Sequence, residues 1–447
     1  MDDIAHSATE TTAPRVVSGK YLARVDSLGY DGGASATILQ TLQSPTDDEF
    51  VAIYGENRQH MWPPTAADFL GGLPGEVLEI DMTWSLPRTG RKRSRRTPPP
   101  MVTVTRVLER STQRVAARCG LFGKCGGCQL QHMSYADQLA FKSRYLRQLL
   151  LDAGLADAPV LPAVGCENPW NYRNHMRYSV DRNGTPGLTQ RGSHRVLPVR
   201  NCPIAHDGIN QAMQILTQVE WPRPQLLVRY STAAQQLMLQ PAPSGDVRDR
   251  LEAAGVEVVT DALTERLLDH DFRIRPSSFF QTNTAQANQM MRLVLEALPQ
   301  LSDSVFIDAY CGVGTFAALM ASTAQKVIAI EESASAIRDA TINLHDSPNV
   351  TVLQGKVEDI LPALSCHVDG LVIDPPRAGC QRPVLDALVW RHLPVVVYIS
   401  CNPVTLARDL NYLCVERNAY RIKSVQPLDM FPQTAHIESI TTLEAIR

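Results

Sequence analysis

Residues 395–408 read V-V-V-Y-I-S-C-N-P-V-T-L-A-R, a β-branched apolar run that passes through a cysteine straight into a helix start. Residues 395–399 have the length and composition of a strand buried on both faces, as in a parallel sheet covered by helices. Asn402 is a favourable N-cap and Pro403 a favourable first helical residue, so Cys401 is expected at a strand's carboxyl end, facing a helix N-terminus. Open α/β sheets take their ligands there. The unpaired N–H groups and positive dipole end of such a helix are expected to favour a thiolate, which would make Cys401 a nucleophile. Taken alone, a cysteine that ends a strand also reads as a packing residue.

Around this stretch the C-terminal part of the chain alternates strand and helix. Strands are expected at 305–309, 327–330, 350–353, 370–373 and 394–399, with helical patterns between most of them, and two more near 420–425 and 436–443 complete a seven-stranded sheet. The first turn, residues 308–316, reads D-A-Y-C-G-V-G-T-F. Gly312 and Gly314 allow a tight strand-to-helix turn with close backbone approach to a ligand, and Glu331 ends the next strand about twenty residues on, where an acid can bind ribose hydroxyls. There is no third glycine at the dinucleotide spacing and no following Lys-Ser/Thr, so a nucleoside-like ligand such as S-adenosylmethionine fits better than a pyrophosphate or triphosphate. Residues 374–379, D-P-P-R-A-G, close the fourth strand with an acid and a rigid turn that can hold a planar base; a helix-starting turn is the plainer reading. Glu438 lies early in the last expected strand. Alternation would put His436 and Glu438 on one face, which makes Glu438 either a general-base candidate or an ion-paired edge residue.

Upstream, residues 15–110 show short β-like segments broken by glycines, at 21–25, 36–39, 51–54 and 77–84, which suit a small barrel. A basic loop containing Arg88, Arg91, Lys92, Arg93, Arg95 and Arg96 reads either as a phosphate contact or as a solvated loop. Then come Cys119, Cys125 and Cys128 in a glycine-rich loop, with Cys202 in N-C-P-I as the best fourth ligand. A Cys-Pro pair recurs as the distant ligand of iron–sulfur runs, while four thiolates also suit a structural zinc, and unligated buried cysteines are a third reading. After a helix expected from 135 to about 154, residues 171–180, N-Y-R-N-H-M-R-Y-S-V, interleave aromatic and cationic side chains that can stack on bases and hold phosphates, or form one exposed strand face. An amphipathic helix is expected over 282–298.

The 447 residues are too many for one ordinary core, so several domains are expected: a disordered polar tail over 1–14, a barrel over 15–110, a central domain over 111–275 and the α/β domain over 276–447. A net charge of −3 excludes nucleic-acid binding by a global positive field and leaves local patches. No apolar run reaches membrane-spanning length, and the N-terminal tail lacks the features of a signal peptide, so a cytoplasmic protein is expected. The ten cysteines then read as metal ligands, a catalytic thiol and buried bystanders.

The chain resembles the RNA uracil-C5 methyltransferase family, and within it the branch with a TRAM domain and a four-iron cluster that modifies large-subunit ribosomal RNA. The resemblance rests on C-G-x-F-G-x-C-G-G-C-Q-x-Q-H from Cys119, N-C-P-I at Cys202, F-F-Q-T-N from Phe279, D-A-Y-C-G-V-G-T-F, Glu331, D-P-P-R-A-G, Y-I-S-C-N-P-V-T-L-A-R-D and the closing H-I-E. Residues 71–76, G-G-L-P-G-E, are also similar to the L-P-G-E turn of TRAM domains, which are small RNA-binding barrels.

The resemblance implies a Rossmann-like methyltransferase domain, Cys401 as nucleophile and Glu438 as base. It implies Gln281, Tyr310, Glu331 and Asp374 at the S-adenosylmethionine or the reacting base, and a [4Fe-4S] cluster on Cys119, Cys125, Cys128 and Cys202. The expected partner is structured RNA, ribosomal before transfer RNA, bound by a monomer with no membrane association. Rival readings are a methyltransferase of exocyclic amines, which needs no thiol, and a non-catalytic iron–sulfur RNA-binding protein. Thr315 stands where relatives often have Asn, and Cys380 has no counterpart role.

Overall fold

Val395–Ser400 forms a strand in the computed structural model, and its inner residues divide strictly between two cores. Val396 and Tyr398 point into one apolar cluster, Val397 and Ile399 into the other, and all four are fully buried. Both faces of the sheet are therefore covered, which is why the run is apolar without alternation. The structure describes residues 16–46, 48–49, 64–85, 100–222, 224–299 and 302–446. The tail over 1–14, the strand expected at 51–54 and the basic loop at 88–96 lie outside the described residues.

The chain separates into two units, the first ending at Ala116 and the second starting at Ala117. The first is an antiparallel sheet of β1 (Val16–Leu28), β2 (Ala34–Gln43), β3 (Ala66–Phe69), β4 (Val77–Ser85) and β5 (Met101–Glu109), in the order β3-β2-β1-β4-β5. Register breaks within β1 and β4 bend it, and the edge strands β3 and β5 approach each other, so the sheet curls into a partial barrel. Its interior holds Tyr21, Phe69, Ile80 and Trp84. Within the G-G-L-P-G-E turn Glu76 is wholly buried, accepting from the Leu73 N–H at 2.9 Å, the Ser111 N–H at 3.1 Å and Arg114 Nε at 2.5 Å. Burial pushes its carboxyl up, but Arg114 and the two backbone donors outweigh that and hold it below its ordinary range.

In the second unit, α1 (Tyr135–Asp152) precedes a six-stranded sheet of β6 (His175–Val180), β7 (Pro186–Thr189), β8 (Val196–Pro198), β9 (Gln225–Tyr230), β10 (Gln236–Gln240) and β11 (Glu257–Val259), ordered β11-β10-β9-β6-β7-β8. Helices α2 (Asp207–Leu216) and α3 (Gly245–Ala253) pack on it. A hairpin, β12 (Leu263–Leu267) and β13 (His270–Ile274), leads to α4 (Thr284–Ala297), capped by the Asn283 side chain on the Gln286 N–H.

There follow β14 (Val305–Ala309), α5 (Thr315–Ala321), β15 (Lys326–Glu331), α6 (Ala334–Asn343), β16 (Val350–Gln354), α7 (Val357–Ala363), β17 (Gly370–Ile373), α8 (Arg382–Arg391), β18 (Val395–Ser400), α9 (Pro403–Leu410), β19 (Tyr420–Leu428) and β20 (Glu438–Ala445). The sheet runs β16-β15-β14-β17-β18-β20-β19, with β20 antiparallel to both neighbours. Helices α4, α5 and α6 cover one face. The other carries α7, α8 and α9 together with α1, whose Leu146 and Leu150 join this distant core. Each such side chain contributes about 1.5–3 kcal/mol by leaving water. No helix of the described residues is long and apolar enough to cross a membrane.

Candidate active site

The strand order reverses between β14 and β17, because the chain winds outward from β14 to β16 and then returns to β17. The carboxyl ends of these strands diverge there into a crevice. Tyr310, Glu331, Asp374 and Cys401 stand at the ends of β14, β15, β17 and β18 in turn.

The turn after β14 is built by its own carboxylates. Tyr310 takes φ +64° and Gly312 φ +57°, the first a left-handed conformation uncommon for a bulky residue and costing about 1–3 kcal/mol. A side chain at Gly312 would meet open space, so it is the backbone that requires glycine, whereas one at Gly314 would sit 2.9 Å from Leu344. Glu331 secures the turn. Its Oε2 accepts from the Gly312 N–H at 3.0 Å and its Oε1 from the Ser333 N–H at 2.7 Å, and each oxygen keeps a lone pair for a ligand. Asp308 Oδ2 accepts from the Ala317 N–H at 2.8 Å, while its buried Oδ1 has no partner among the described residues. Burial pushes this carboxyl up to about 8, with the Asp374 and Glu331 charges adding to the effect.

Ser400 pairs with Ser439 across β18 and β20, so continuing the antiparallel register by one residue sets Cys401 opposite Glu438. Glu438 is 5% exposed and Cys401 half-buried. Asn402 caps the Val404 N–H at 3.2 Å and donates to the Arg377 carbonyl at 2.9 Å, which the Thr405 hydroxyl reaches at 3.3 Å. Asp409, buried on α9, accepts from the Cys380 N–H at 2.8 Å and from the Tyr398 hydroxyl at 2.7 Å. The D-P-P-R-A-G loop is thereby locked to the helix that follows Cys401. A side chain on Gly379 would strike Arg408 and Asp409.

Two expectations are corrected here. The Cys401 thiol is not drawn down by the helix end; burial first, then the Glu438 and Asp374 carboxyls, push it up to about 11, against the field of Arg377. The dipole end offers little because Pro403 has no N–H and Asn402 already occupies that of Val404. His436 does not share a strand face with Glu438, since β20 begins at Glu438 itself. Burial first and then Asp374 raise Glu438 well above the usual carboxylate range, and burial takes Asp374 up to about 7. The Asp374 and Glu438 carboxyls thus raise the proton affinity of Cys401, and Asp374 adds to that of Glu438.

Gln281 is half-buried in the segment before α4, where its carbonyl accepts from Asn174 at 3.2 Å. Among the described residues no hydrogen bond joins its side chain to Tyr310, Glu331 or Asp374. Thr315 opens α5, and Cys380 is buried with its N–H on Asp409. Asp308, Arg377 and Asp409 were not singled out by the sequence, although all three lie within or next to the quoted motifs; a buried acid inside an apolar strand was the available signal for Asp308.

Cys119, Cys125, Cys128 and Cys202 line one cavity of about 210 Å³, together with Gln131 and Arg173. Gln131 accepts from the Cys119 N–H at 3.0 Å and hydrogen-bonds the Cys128 sulfur. Burial, and then the neighbouring thiols, push Cys128 up to about 12 and raise Cys125 and Cys202, although backbone N–H groups oppose the rise at these last two. No three His, Cys, Asp or Glu side chains among the described residues stand close enough to hold a single metal ion. The interleaved residues 171–180 are not a stacking face. Tyr172 and Tyr178 are 7% and 0% exposed and belong to the central core, which leaves Arg177 outside.

A family model described as tRNA (Uracil-5-)-methyltransferase matches residues 247–446. An uncharacterized RNA methyltransferase of Thermosynechococcus vestitus is 33% identical over 389 residues, spanning 76% of this chain and 86% of that relative. One from Listeria innocua is 32% identical over 385 residues, spanning 74% and 84%. The Pyrococcus abyssi tRNA (uracil-54, C5)-methyltransferase, solved in complex with S-adenosyl-L-homocysteine, superimposes with a TM-score of 0.67 at 22% identity over 95% of this chain and 99% of that one, which establishes a common fold. With a seven-stranded sheet whose crevice gathers the quoted motifs, and relatives matched over most of their length, the chain belongs to the tRNA (uracil-5-)-methyltransferase family of RNA methyltransferases.

Proposed function

We propose that the protein methylates C5 of a uridine in structured RNA, using S-adenosylmethionine and a transient bond between Cys401 and C6 of the base. The observation that carries this reading is the placement of Cys401 opposite Glu438 beside Asp374, at the crevice of the sheet. The residues present fit the cofactor: an open glycine turn secured by Glu331, an unpartnered Asp308 oxygen behind it, and Asp374 at the adjoining strand end. Tyr310, Glu331 and Asp374 would hold it, with Gln281 from the segment before α4. S-adenosylmethionine, when bound, supplies the methyl group that C5 takes.

C5 of uracil is a weak nucleophile. Cys401 first releases its S–H proton to solvent, and addition of the resulting thiolate at C6 moves the ring electrons onto O4 and gives C5 carbanion character. After C5 is alkylated, Glu438 removes the C5 proton, the C5–C6 double bond re-forms, and the sulfur leaves C6. A carboxyl with a raised proton affinity suits the removal of a carbon-bound proton, provided that it is unprotonated when the base is loaded. Because C6 is shielded in a stacked helix, the uridine must be extruded to reach the sulfur.

The cysteine cavity fits a polynuclear centre held by Cys119, Cys125, Cys128 and Cys202. Its thiols repel one another once ionised, and a cationic centre relieves that. Such a [4Fe-4S] cluster would order the loop and supply no electrons to the methylation. The barrel expected over 15–110, within the first unit, is read as a TRAM-like domain that grips RNA. Ribosomal RNA is the proposed substrate, on the resemblance of the cysteine motifs. Transfer RNA is the second reading, favoured by the description of the family and by the Pyrococcus abyssi enzyme.

Cys401→Ala is expected to abolish methylation and leave S-adenosylmethionine affinity unchanged in calorimetry; turnover at the normal rate would exclude the covalent route and favour amine methylation. Mapping 5-methyluridine in total RNA of a strain lacking the protein identifies the RNA.

A further inference from the structure

Among the described residues no hydrogen bond fixes the Glu438 carboxyl; what it feels is burial and the charges of Asp374 and Arg377. Its place therefore depends on the backbone that carries it. On one side β20 is held in the sheet, Glu438 pairing with Leu428 and Ser439 with Ser400. On the other side, residues 429–437 join β19 to β20, and this connection is held almost residue by residue from outside the sheet. Lys142 of α1 reaches Asp429 at 2.5 Å and the Phe431 carbonyl at 3.2 Å. Asn283 donates to the Met430 carbonyl at 3.2 Å, and the Tyr172 hydroxyl to the Pro432 carbonyl at 3.0 Å.

The middle of the connection is Gln433, at φ +70° and 2% exposed. Its N–H donates to Gln138 Oε1 at 3.0 Å, and its Oε1 accepts from Gln138 Nε2 at 3.1 Å, a reciprocal amide pair. Its carbonyl accepts from the N–H groups of Gln129 at 3.2 Å and Leu130 at 3.0 Å. Gln138, 1% exposed, also donates to the carbonyls of Leu130 at 3.1 Å and Met133 at 2.9 Å. Gln129 Oε1 accepts from the Ala435 N–H at 3.3 Å. Gln129 and Leu130 directly follow Cys128, which lines the cysteine cavity. Two glutamines 295 positions apart thus join three segments: α1, the cysteine loop and the connection that delivers Glu438.

We propose that Gln138 and Gln433 are positioning residues for Glu438, a buried amide clamp that ties the β19–β20 connection to the cysteine loop and fixes where the carboxyl meets the C5 proton. The assignment rests on the reading of Glu438 as the base. In that step the C5–H bond breaks, its proton passes to the carboxylate, its electron pair restores the C5–C6 double bond, and the C6–S bond breaks to release Cys401. Addition of sulfur at C6 needs no part of this, so loosening the clamp slows the second half of the reaction and spares the first. A displacement of about 1 Å at such a step costs up to about a hundredfold in rate.

The test uses anaerobically purified full-length protein and [5-³H]uridine-labelled RNA from a strain lacking the protein. Wild type, Gln138→Met and Glu438→Gln are compared for protein–RNA adduct on denaturing gels, tritium release, S-adenosylmethionine affinity and metal content. Gln138→Met keeps the side-chain length and removes the amide. It is expected to form adduct at a rate within about threefold of wild type, with metal and cofactor binding unchanged, while tritium release falls about ten- to a hundredfold and the adduct persists. Gln433→Asn, which tolerates the left-handed backbone and withdraws only the side-chain amide, is expected to behave alike and serves if the first variant does not fold. Adduct formation and tritium release falling by the same factor, or tritium release at the wild-type rate, would overturn the clamp while Glu438→Gln still accumulates adduct. Absence of adduct in Glu438→Gln removes the base reading, and the clamp with it.

Discussion

The resting protonation of Cys401 is open to direct measurement. Its thiol is pushed up to about 11 by burial and by the carboxyls of Glu438 and Asp374. At pH 7, four units lower, about one molecule in ten thousand carries the thiolate. Only the thiolate reacts with an alkylating agent, so iodoacetamide modification of Cys401 should rise about tenfold per pH unit and continue to rise toward pH 11. The assay is quantitative mass spectrometry of the peptide containing Cys401, with the exposed Cys366 as internal reference. Two substitutions fix the cause. Glu438→Gln removes an acidic neighbour and should raise the alkylation rate at a given pH, whereas Arg377→Ala removes the opposing cation and should lower it. A plateau below about pH 8.5, or the reverse order of the two variants, would show that the helix end does stabilise the thiolate and that the electrostatic account of the pocket is wrong.

Protein purified without oxygen is expected to be brown and to contain about four irons per chain; stoichiometric zinc without iron would assign the cysteine cavity to a different centre. Lys142→Met leaves Asp429 buried without its cation, 2.5 Å away in the native protein, and should cost about 3–5 kcal/mol in urea unfolding, with a loss under about 1 kcal/mol counting against a desolvated pair. Asp308 keeps its proton up to about pH 8, whereas the unfolded chain releases it near the ordinary value of 3.8. The folded state thus binds the extra proton between those values, and stability falls as pH rises through that window. Asp308→Asn should flatten the decline in melting temperature between pH 5 and pH 8, and an unchanged slope in the variant would remove Asp308 as its source.

The sequence carried a great deal of this. Strand runs such as 305–309 and 370–373 match the observed β14 and β17 end for end, because a run buried on both faces is nearly all apolar, Asp308 being the exception, and stops where the backbone turns. Asn402 and Pro403 mark the start of α9 for a local reason as well, the capping of an exposed N–H and a preset φ. The alternation of strand and helix placed Glu331, Asp374 and Cys401 each at a strand's carboxyl end, while their order along the sheet came from its topology.

Properties that depend on distant neighbours were not legible. The alternating tyrosines near residue 175 resemble a stacking platform until the fold turns Tyr172 and Tyr178 into a core. Local sequence shows the helix start at Cys401 but not Glu438, 37 residues away, which the β18–β20 register brings opposite and whose carboxyl, after burial itself, pushes the thiol up.

The linear chain by itself determined the element order and the apolar faces, since these obey rules that act over a few residues. Only the tertiary structure decided that α1 packs on the far sheet rather than the nearer one, that Gln138 meets Gln433, and that the Glu438 and Asp374 carboxyls raise the proton affinity of Cys401. Packing and electrostatics act through space, and burial amplifies both at positions the sequence holds far apart.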